Sequence, residues 1–354
     1  MSLSIGIVGL PNVGKSTLFE ALVNKEVDRA NYPFATIDPN VGIVPVPDSR
    51  VDELAKLENS ARRIYTTMEF HDIAGLIRGA HKGEGLGNAF LSHIREVDAI
   101  VYVLRAFKDS RIIHTEGTVD PIAEKEILET ELALKDLETV TRRLEAVEGK
   151  MKAGETKETI KERNALQAAR EVLEKGTSLV AHAFGDDEKA LLSSFQLLTL
   201  KPRIYLLNGS AEEVSTEVAD FFSSHGLTYL AISLIDEHGG KDLSPEERAA
   251  FGLSGLDRLI CTCYELVGLI TFFTTGPDET RAWTTQDGSS AKEAAGVIHS
   301  DFSQYFIRAE IISYDDLIAA GGFAPARERG QVRTEGKEYR MQDGDVMVVR
   351  HNAP

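Results

Sequence analysis

The chain has 354 residues, of which 42% are apolar and 27% charged, and 56 acidic against 39 basic side chains give a formal net charge of −17. Such a length exceeds one ordinary domain, so two or three units are expected. The acidic balance excludes strong non-specific binding to nucleic acid, no stretch has the apolar length of a membrane helix, and the start runs straight into a strand pattern without a leader; a soluble, cytoplasmic protein is expected.

The apolar run Ile5 to Leu10 leads into Gly9-Leu10-Pro11-Asn12-Val13-Gly14-Lys15-Ser16-Thr17, which fits the phosphate-loop pattern G-x-x-x-x-G-K-[ST]. Leu18, Leu22 and Val23 then carry the spacing of a buried helix face, so strand, glycine loop and helix follow in the required order. Glycines at 9 and 14 let successive N–H groups point at one phosphate at the positive end of the helix. Lys15 adds a cation, and Ser16 an oxygen for Mg²⁺.

Asn31 to Gly42 is punctuated by prolines, asparagine and glycine and reads as a long loop before a strand at Ile43 to Val46. In a phosphate-loop NTPase a switch sits there, with Thr36 as the hydroxyl that reaches Mg²⁺. A strand over Tyr65 to Phe70 ends at Asp72-Ile73-Ala74-Gly75, where Asp72 can hold Mg²⁺ through water and the Gly75 N–H can meet a γ-phosphate. The glycine-rich stretch Arg78 to Gly87 is expected to be a second switch. After D-x-x-G many GTPases carry a water-orienting glutamine; here Leu76 cannot hydrogen-bond water. Either hydrolysis is very slow or another residue serves, and His81, His93 and His114 are nearby in sequence.

Val97 to Leu104, Ile204 to Leu207 and Tyr229 to Leu234 read as buried parallel strands of a doubly wound α/β sheet, with ligands at the strand C-terminal ends. Between them lies a Glu-, Lys-, Arg- and Leu-rich insertion. In it Ala133, Leu137, Val140, Leu144, Val147 and Met151 form a heptad seam, and Leu166, Ala169 and Leu173 resume it after Gly154. This predicts a helical coiled-coil hairpin, either a structural or a partner-docking arm. The expected organisation is a nucleotide-binding domain over 1–120 and 201–273, the helical insertion over 121–200, and a small α+β domain over 274–354. In the last, strands are expected at Ala282 to Thr285, Phe306 to Ile312 and Asp345 to Arg350, and Lys337 to Met341 is expected to form a hairpin through Asp343-Gly344. Arg327 to Lys337, with four basic residues, is either a local site for a negative partner or a solvated charged face. Cys261 and Cys263 read as small buried side chains rather than a bridge or metal site.

GTPases read guanine with N-K-x-D after the fifth strand; here the strand ends Asn208-Gly209-Ser210-Ala211-Glu212, so the Asp position is Ala211 and guanine selectivity is expected to be lost. With Gly9 to Thr17, Asn31 to Gly42, Asp72 to Ala80 with its Leu76, Ile113 to Pro121, Gly276 to Thr284, Ile307 to Glu310 and Glu335 to Val346, the chain resembles the Obg-like ATPases of the YchF family over essentially its whole length.

The resemblance implies a Ras-like P-loop domain holding ATP, a coiled-coil insertion and a C-terminal TGS domain of β-grasp type. It implies Mg²⁺ on Ser16 and Thr36, phosphates on Asn12, Val13, Gly14, Lys15, Ser16 and Thr17, and adenine near Asn208 and Gly209. The family's substitute for the missing glutamine falls on His114. Members associate with ribosomes and are linked to translation and stress responses. Where the family has N-x-x-E, the acid falls one residue late, at Glu212. The reading is a slow Mg²⁺-dependent ATPase switch, with Lys15 and His114 as its chemistry. The alternatives are a GTPase, or a nucleotide-gated ribosome-binding module with incidental hydrolysis.

Overall fold

The computed structural model describes residues 3–23, 40–73, 86–109, 119–152, 154–240 and 243–352. The elements begin with β1 (Leu3–Val8), α1 (Lys15–Val23), β2 (Val41–Pro45), α2 (Ser49–Glu58), β3 (Arg62–Ile64), β4 (Thr67–Asp72), α3 (Leu86–Glu96) and β5 (Ala99–Arg105). Next come α4 (Pro121–Met151), α5 (Lys157–Glu174), α6 (Asp186–Ser193), β6 (Arg203–Asn208), α7 (Thr216–Ser224), β7 (Tyr229–Ile232), α8 (Leu234–Gly239), α9 (Pro245–Ala250) and α10 (Gly255–Leu266). The chain continues through β8 (Leu269–Thr275), β9 (Glu279–Gln286), α11 (Ala291–Ile298), α12 (Ser300–Gln304), β10 (Phe306–Ser313), α13 (Tyr314–Ala320), α14 (Phe323–Glu328), β11 (Arg333–Glu335) and β12 (Asp345–His351).

Two units divide the described residues: those up to 42 and those between 69 and 256 form the first, and 43–68 and 257–352 the second. The helical insertion clusters with the first unit rather than standing as a third. Residues 43–68, which the sequence reading assigns to the nucleotide-binding region, cluster with the C-terminal half because α2 gives Val51 and Leu54 to that half's core.

In the first sheet the strand order is β2-β4-β1-β5-β6-β7. β1, β5, β6 and β7 run parallel, with Ile5 opposite Ala99, Val101 opposite Ile204 and Leu206 opposite Leu230. All seven residues of β5 and all six of β6 are buried, which is why these strands read as continuous apolar runs rather than alternating ones. The three expected parallel strands fall on β5, β6 and β7.

The insertion opens with Asp120 capping α4 through the N–H groups of Ile122 (3.1 Å) and Ala123 (3.0 Å), followed by Pro121, which has no N–H to satisfy. Its seam is the expected one: Val140, Leu144 and Val147 are buried against Ala165, Leu166, Ala169 and Leu173 of α5, with Ala133, Leu137 and Met151 packed alongside. Each fully buried Leu or Val contributes about 1.5–3 kcal/mol, so the seam holds the pair together. The insertion is more than a hairpin. Leu179, Leu192 and Leu197, from α6 and the turns around it, close the same core, and buried Asp136 accepts from Leu198 N (2.9 Å), Thr199 N (2.7 Å) and Thr199 Oγ1 (2.7 Å).

The second unit is a six-stranded sheet in the order β11-β10-β12-β8-β9-β3. Neighbouring strand residues point to opposite faces, so Phe273, Ile312 and Val346 pack with α2, α13 and α14, while Phe272, Ile311 and Met347 pack with α11. The expected strands at 282–285, 306–312 and 345–350 lie within β9, β10 and β12. The expected hairpin across Asp343-Gly344 does not form: β12 pairs antiparallel with β10 and parallel with β8. The preceding stretch makes a single bridge, Arg340 to Ser290, and Gly344 (φ +87) serves a turn closed by Asp345 N on Gln342 O (3.1 Å). Neither cysteine forms a disulfide; Cys263 is buried as expected, whereas Cys261 is partly exposed.

Candidate nucleotide site

The loop between β1 and α1 depends on two glycines. A side-chain carbon at Gly9 would come within 2.5 Å of the Val103 carbonyl on β5, and Gly14 adopts φ +104, a conformation L side chains rarely take. Asn12 also has positive φ (63). The loop therefore curls at the C-terminal edge of the sheet, and the first intrahelical bond, Leu18 N to Gly14 O at 2.9 Å, starts α1 directly behind it. Lys15, Ser16 and Thr17 occupy the first turn of α1, whose N–H groups have no acceptor inside the helix and form an anion site.

Lys15 donates to the Leu10 carbonyl at 2.8 Å, folding its chain back along the loop. Burial lowers its pKa, opposed by the carboxylates of Asp72 and Glu124. Asp72 closes β4, held through its N–H on Asn40 O (2.9 Å); burial pushes its carboxyl up, and Lys15 pulls it down. Thus Asp72 and Lys15, taken from distant parts of the sequence, come within electrostatic reach of each other. Among the described residues no three His, Cys, Asp or Glu side chains gather as a metal cluster. Thr36, Gly75, His81 and His114 lie outside the described residues, and His93 is exposed on α3.

Asn208 ends β6 and is 6% exposed. Its Nδ2 donates to Val13 O (2.8 Å) and its Oδ1 accepts from Leu234 N (3.2 Å), so one side chain ties the phosphate loop to the start of α8. Gly209 is tightly seated: an added carbon would lie 3.1 Å from Ala106 Cβ and Phe107 N. After it, Ser210 N donates to Glu213 (2.9 Å), while Glu212 is exposed. Two participants were missed by the sequence reading. Leu234 sits beside Gly14, 3.4 Å from where its side chain would begin, and Glu124, 1% exposed in the first turn of α4, accepts Arg105 N at 2.9 Å. Their only sequence signals were the end of an apolar run and one acid among many.

Comparison with known proteins gives consistent matches. The family described as a 50S ribosome-binding GTPase matches residues 4–143, and the C-terminal YchF-GTPase family, described as a protein of unknown function, matches residues 269–352. The ribosome-binding ATPase YchF of Bacillus subtilis (strain 168) is 46% identical over 366 residues, covering 99% of this chain and 100% of the relative. That of Escherichia coli O157:H7 is 44% identical over 363 residues with the same coverage. Obg-like ATPase 1 of Oryza sativa subsp. japonica is 40% identical, covering 99% of this chain and 92% of the relative. The solved structure of the Schizosaccharomyces pombe YchF GTPase superposes with a TM-score of 0.88 at 38% identity, over 99% and 98% of the two chains.

Proposed function

The chain belongs to the YchF family, and from that premise we propose that it is a Mg²⁺-dependent ATPase that works as a slow switch on the ribosome in the cytoplasm. The observation that carries the catalytic part is the curled loop at Gly14, with Lys15 at the head of α1 electrostatically coupled to Asp72. Little covalent chemistry falls to the protein in phosphoryl transfer; positioning and charge stabilisation dominate. The N–H groups of Asn12 to Thr17 orient the phosphates, and Lys15 offsets charge on them. Mg²⁺, when bound, would be held by Ser16, Thr36 and, through water, Asp72, and supplies further charge neutralisation. His114 would orient the attacking water in place of the glutamine that Leu76 replaces, and the Gly75 N–H would report the γ-phosphate.

The ribosome-binding part is supported by the printed descriptions of relatives that span the whole chain. ATP is favoured over GTP because Ala211 offers no carboxylate to guanine. Two measurements test the reading. Calorimetric titration of nucleotide-free protein should show Mg·ATP at least tenfold tighter than Mg·GTP, about 1.4 kcal/mol; equal or GTP-favoured binding would make it a GTPase. Ribosome co-sedimentation should differ between ATP, ADP and no nucleotide, and identical binding in all three would remove the switch.

A further inference from the structure

We propose that the second unit docks on RNA phosphates through a face of its sheet built from Arg308, Arg327 and Arg350 around Glu310. The inference rests on the ribosome-binding reading and names the surface and chemistry of contact. Arg308 on β10 stands directly opposite Arg350 on the antiparallel β12. Like charges in that register repel and weaken strand pairing, so the fold carries a repulsion that a bound anion would relieve.

Glu310, also on β10, is already engaged. Glu310 accepts from Arg327 Nη2 (2.8 Å) through one oxygen and from Arg350 Nε (3.0 Å) through the other, with Arg350 Nη2 in an ion pair at 3.0 Å. These bonds, that of Arg327 first, hold the Glu310 carboxyl below its ordinary range. Glu310 therefore neutralises one charge of three and fixes two guanidiniums in place, while both remain half exposed, at 49% and 50%. Arg327 is further steadied over the Phe323 ring at 5.4 Å, within the ~6 Å reach of a cation–π contact. The other residues in register on this face, Val348 and Thr334, are uncharged, and Arg308 is exposed.

Three arginines set around one glutamate, on a chain of net charge −17, mark where an anion is recognised against the overall field. Guanidinium forks match phosphate oxygens in pairs, and several on one flat sheet suit the repeated phosphates of a nucleic-acid backbone better than one small anion. The sequence segment 327–337, rich in basic residues, contributes Arg327; Arg308 and Arg350 join it only in the folded sheet.

The test uses full-length protein with Mg·ATP, a short fluorescein-labelled single-stranded RNA and, separately, intact ribosomes. The double variant R308Q/R350Q should bind both at least tenfold more weakly. Its plot of log affinity against log salt should be shallower by about 1.4, at about 0.7 per lost phosphate contact. R308K/R350K should recover part of the affinity, and thermal unfolding of the Gln variant should be unchanged or raised. RNA and ribosome binding equal to wild type, with the same salt slope, would overturn this face while leaving the ribosome reading intact. Loss of ribosome binding with RNA binding unchanged would overturn RNA as the partner and point to an acidic protein surface. Wild-type protein that does not sediment with ribosomes would overturn the reading on which the inference rests.

Discussion

The amide of Asn208, at the end of β6, donates to the carbonyl of Val13 in the phosphate loop at 2.8 Å, while its oxygen takes the N–H of Leu234 at 3.2 Å. Asn208 is therefore a brace between strand end, loop and α8 before it is a contact for any base. Replacing it with leucine strands two buried backbone groups, at about 1–3 kcal/mol each. Asn208→Leu is expected to lower the unfolding temperature and weaken nucleotide binding at least tenfold. Asn208→Asp keeps the acceptor for Leu234 but loses the donor to Val13, so calorimetry on the pair separates the two bonds. Unchanged affinity in both would free the loop from this brace.

Gly14 lies under the same amide. A methyl there would begin 2.3 Å from Asn208 Nδ2, at a φ of +104 that strains any L side chain. Gly14→Ala must therefore displace Asn208, and the two substitutions should not be additive: the cost of Gly14→Ala in nucleotide affinity should shrink in an Asn208→Ala background, which has the room. A double-mutant cycle measures this. Strict additivity would mean that backbone strain alone, and not the clash, sets the cost.

What could be read from the sequence was local. The phosphate loop is contiguous, so Gly9, Gly14, Lys15 and Ser16 announced themselves, and the heptad seam of α4 is a repeat along one helix. Glu124 and Leu234 did not, because their roles arise from contacts with Arg105 across 19 residues and with Asn208 across 26. The Asp343-Gly344 pair is a sound local turn signal, yet β12 finds its partners in β10 and β8, and no short-range pattern encodes that choice. Likewise the assignment of residues 43–68 to the second unit follows from Val51 and Leu54 filling a core made mostly by residues beyond 270. Local chemistry was legible; which distant elements share it was not.

Alkali should unfold the first unit through its tyrosines. Tyr102 and Tyr205 stack at 5.3 Å between ring centres in the core; burial pushes the Tyr102 phenol up from 10.0 to about 12, and Tyr205, donating to Glu129, is raised as well. The folded chain holds the Tyr102 proton more tightly than the unfolded chain. Its contribution, on the order of 3 kcal/mol, is therefore fully present below about pH 10 and is lost as pH climbs through about 12. Urea midpoints should fall steadily over that interval, with tyrosinate absorbance appearing together with unfolding. Tyr102→Phe should flatten the decline by one proton, and an undiminished slope would assign it to other groups.

The last prediction concerns turnover. Leu76 stands where a glutamine would hold the attacking water, and no aliphatic group can accept or donate a hydrogen bond. If His114 takes that role, its loss should leave nucleotide binding untouched, because the proposed phosphate contacts are the loop at Gly14 and Lys15. Removing a water-orienting or proton-transferring group typically costs about 10²–10⁴ in rate. His114→Ala is therefore expected to bind Mg·ATP with wild-type affinity by calorimetry and to hydrolyse it about a hundredfold more slowly, or slower still, in single-turnover phosphate release. His81→Ala and His93→Ala serve as the comparison: the one exposed on α3, His93, should turn over normally. Wild-type turnover in His114→Ala would remove it from the mechanism, and a matching loss in His81→Ala instead would move the role to the glycine-rich segment after Asp72. Weakened binding together with slow turnover would mean that His114 holds the nucleotide rather than the water.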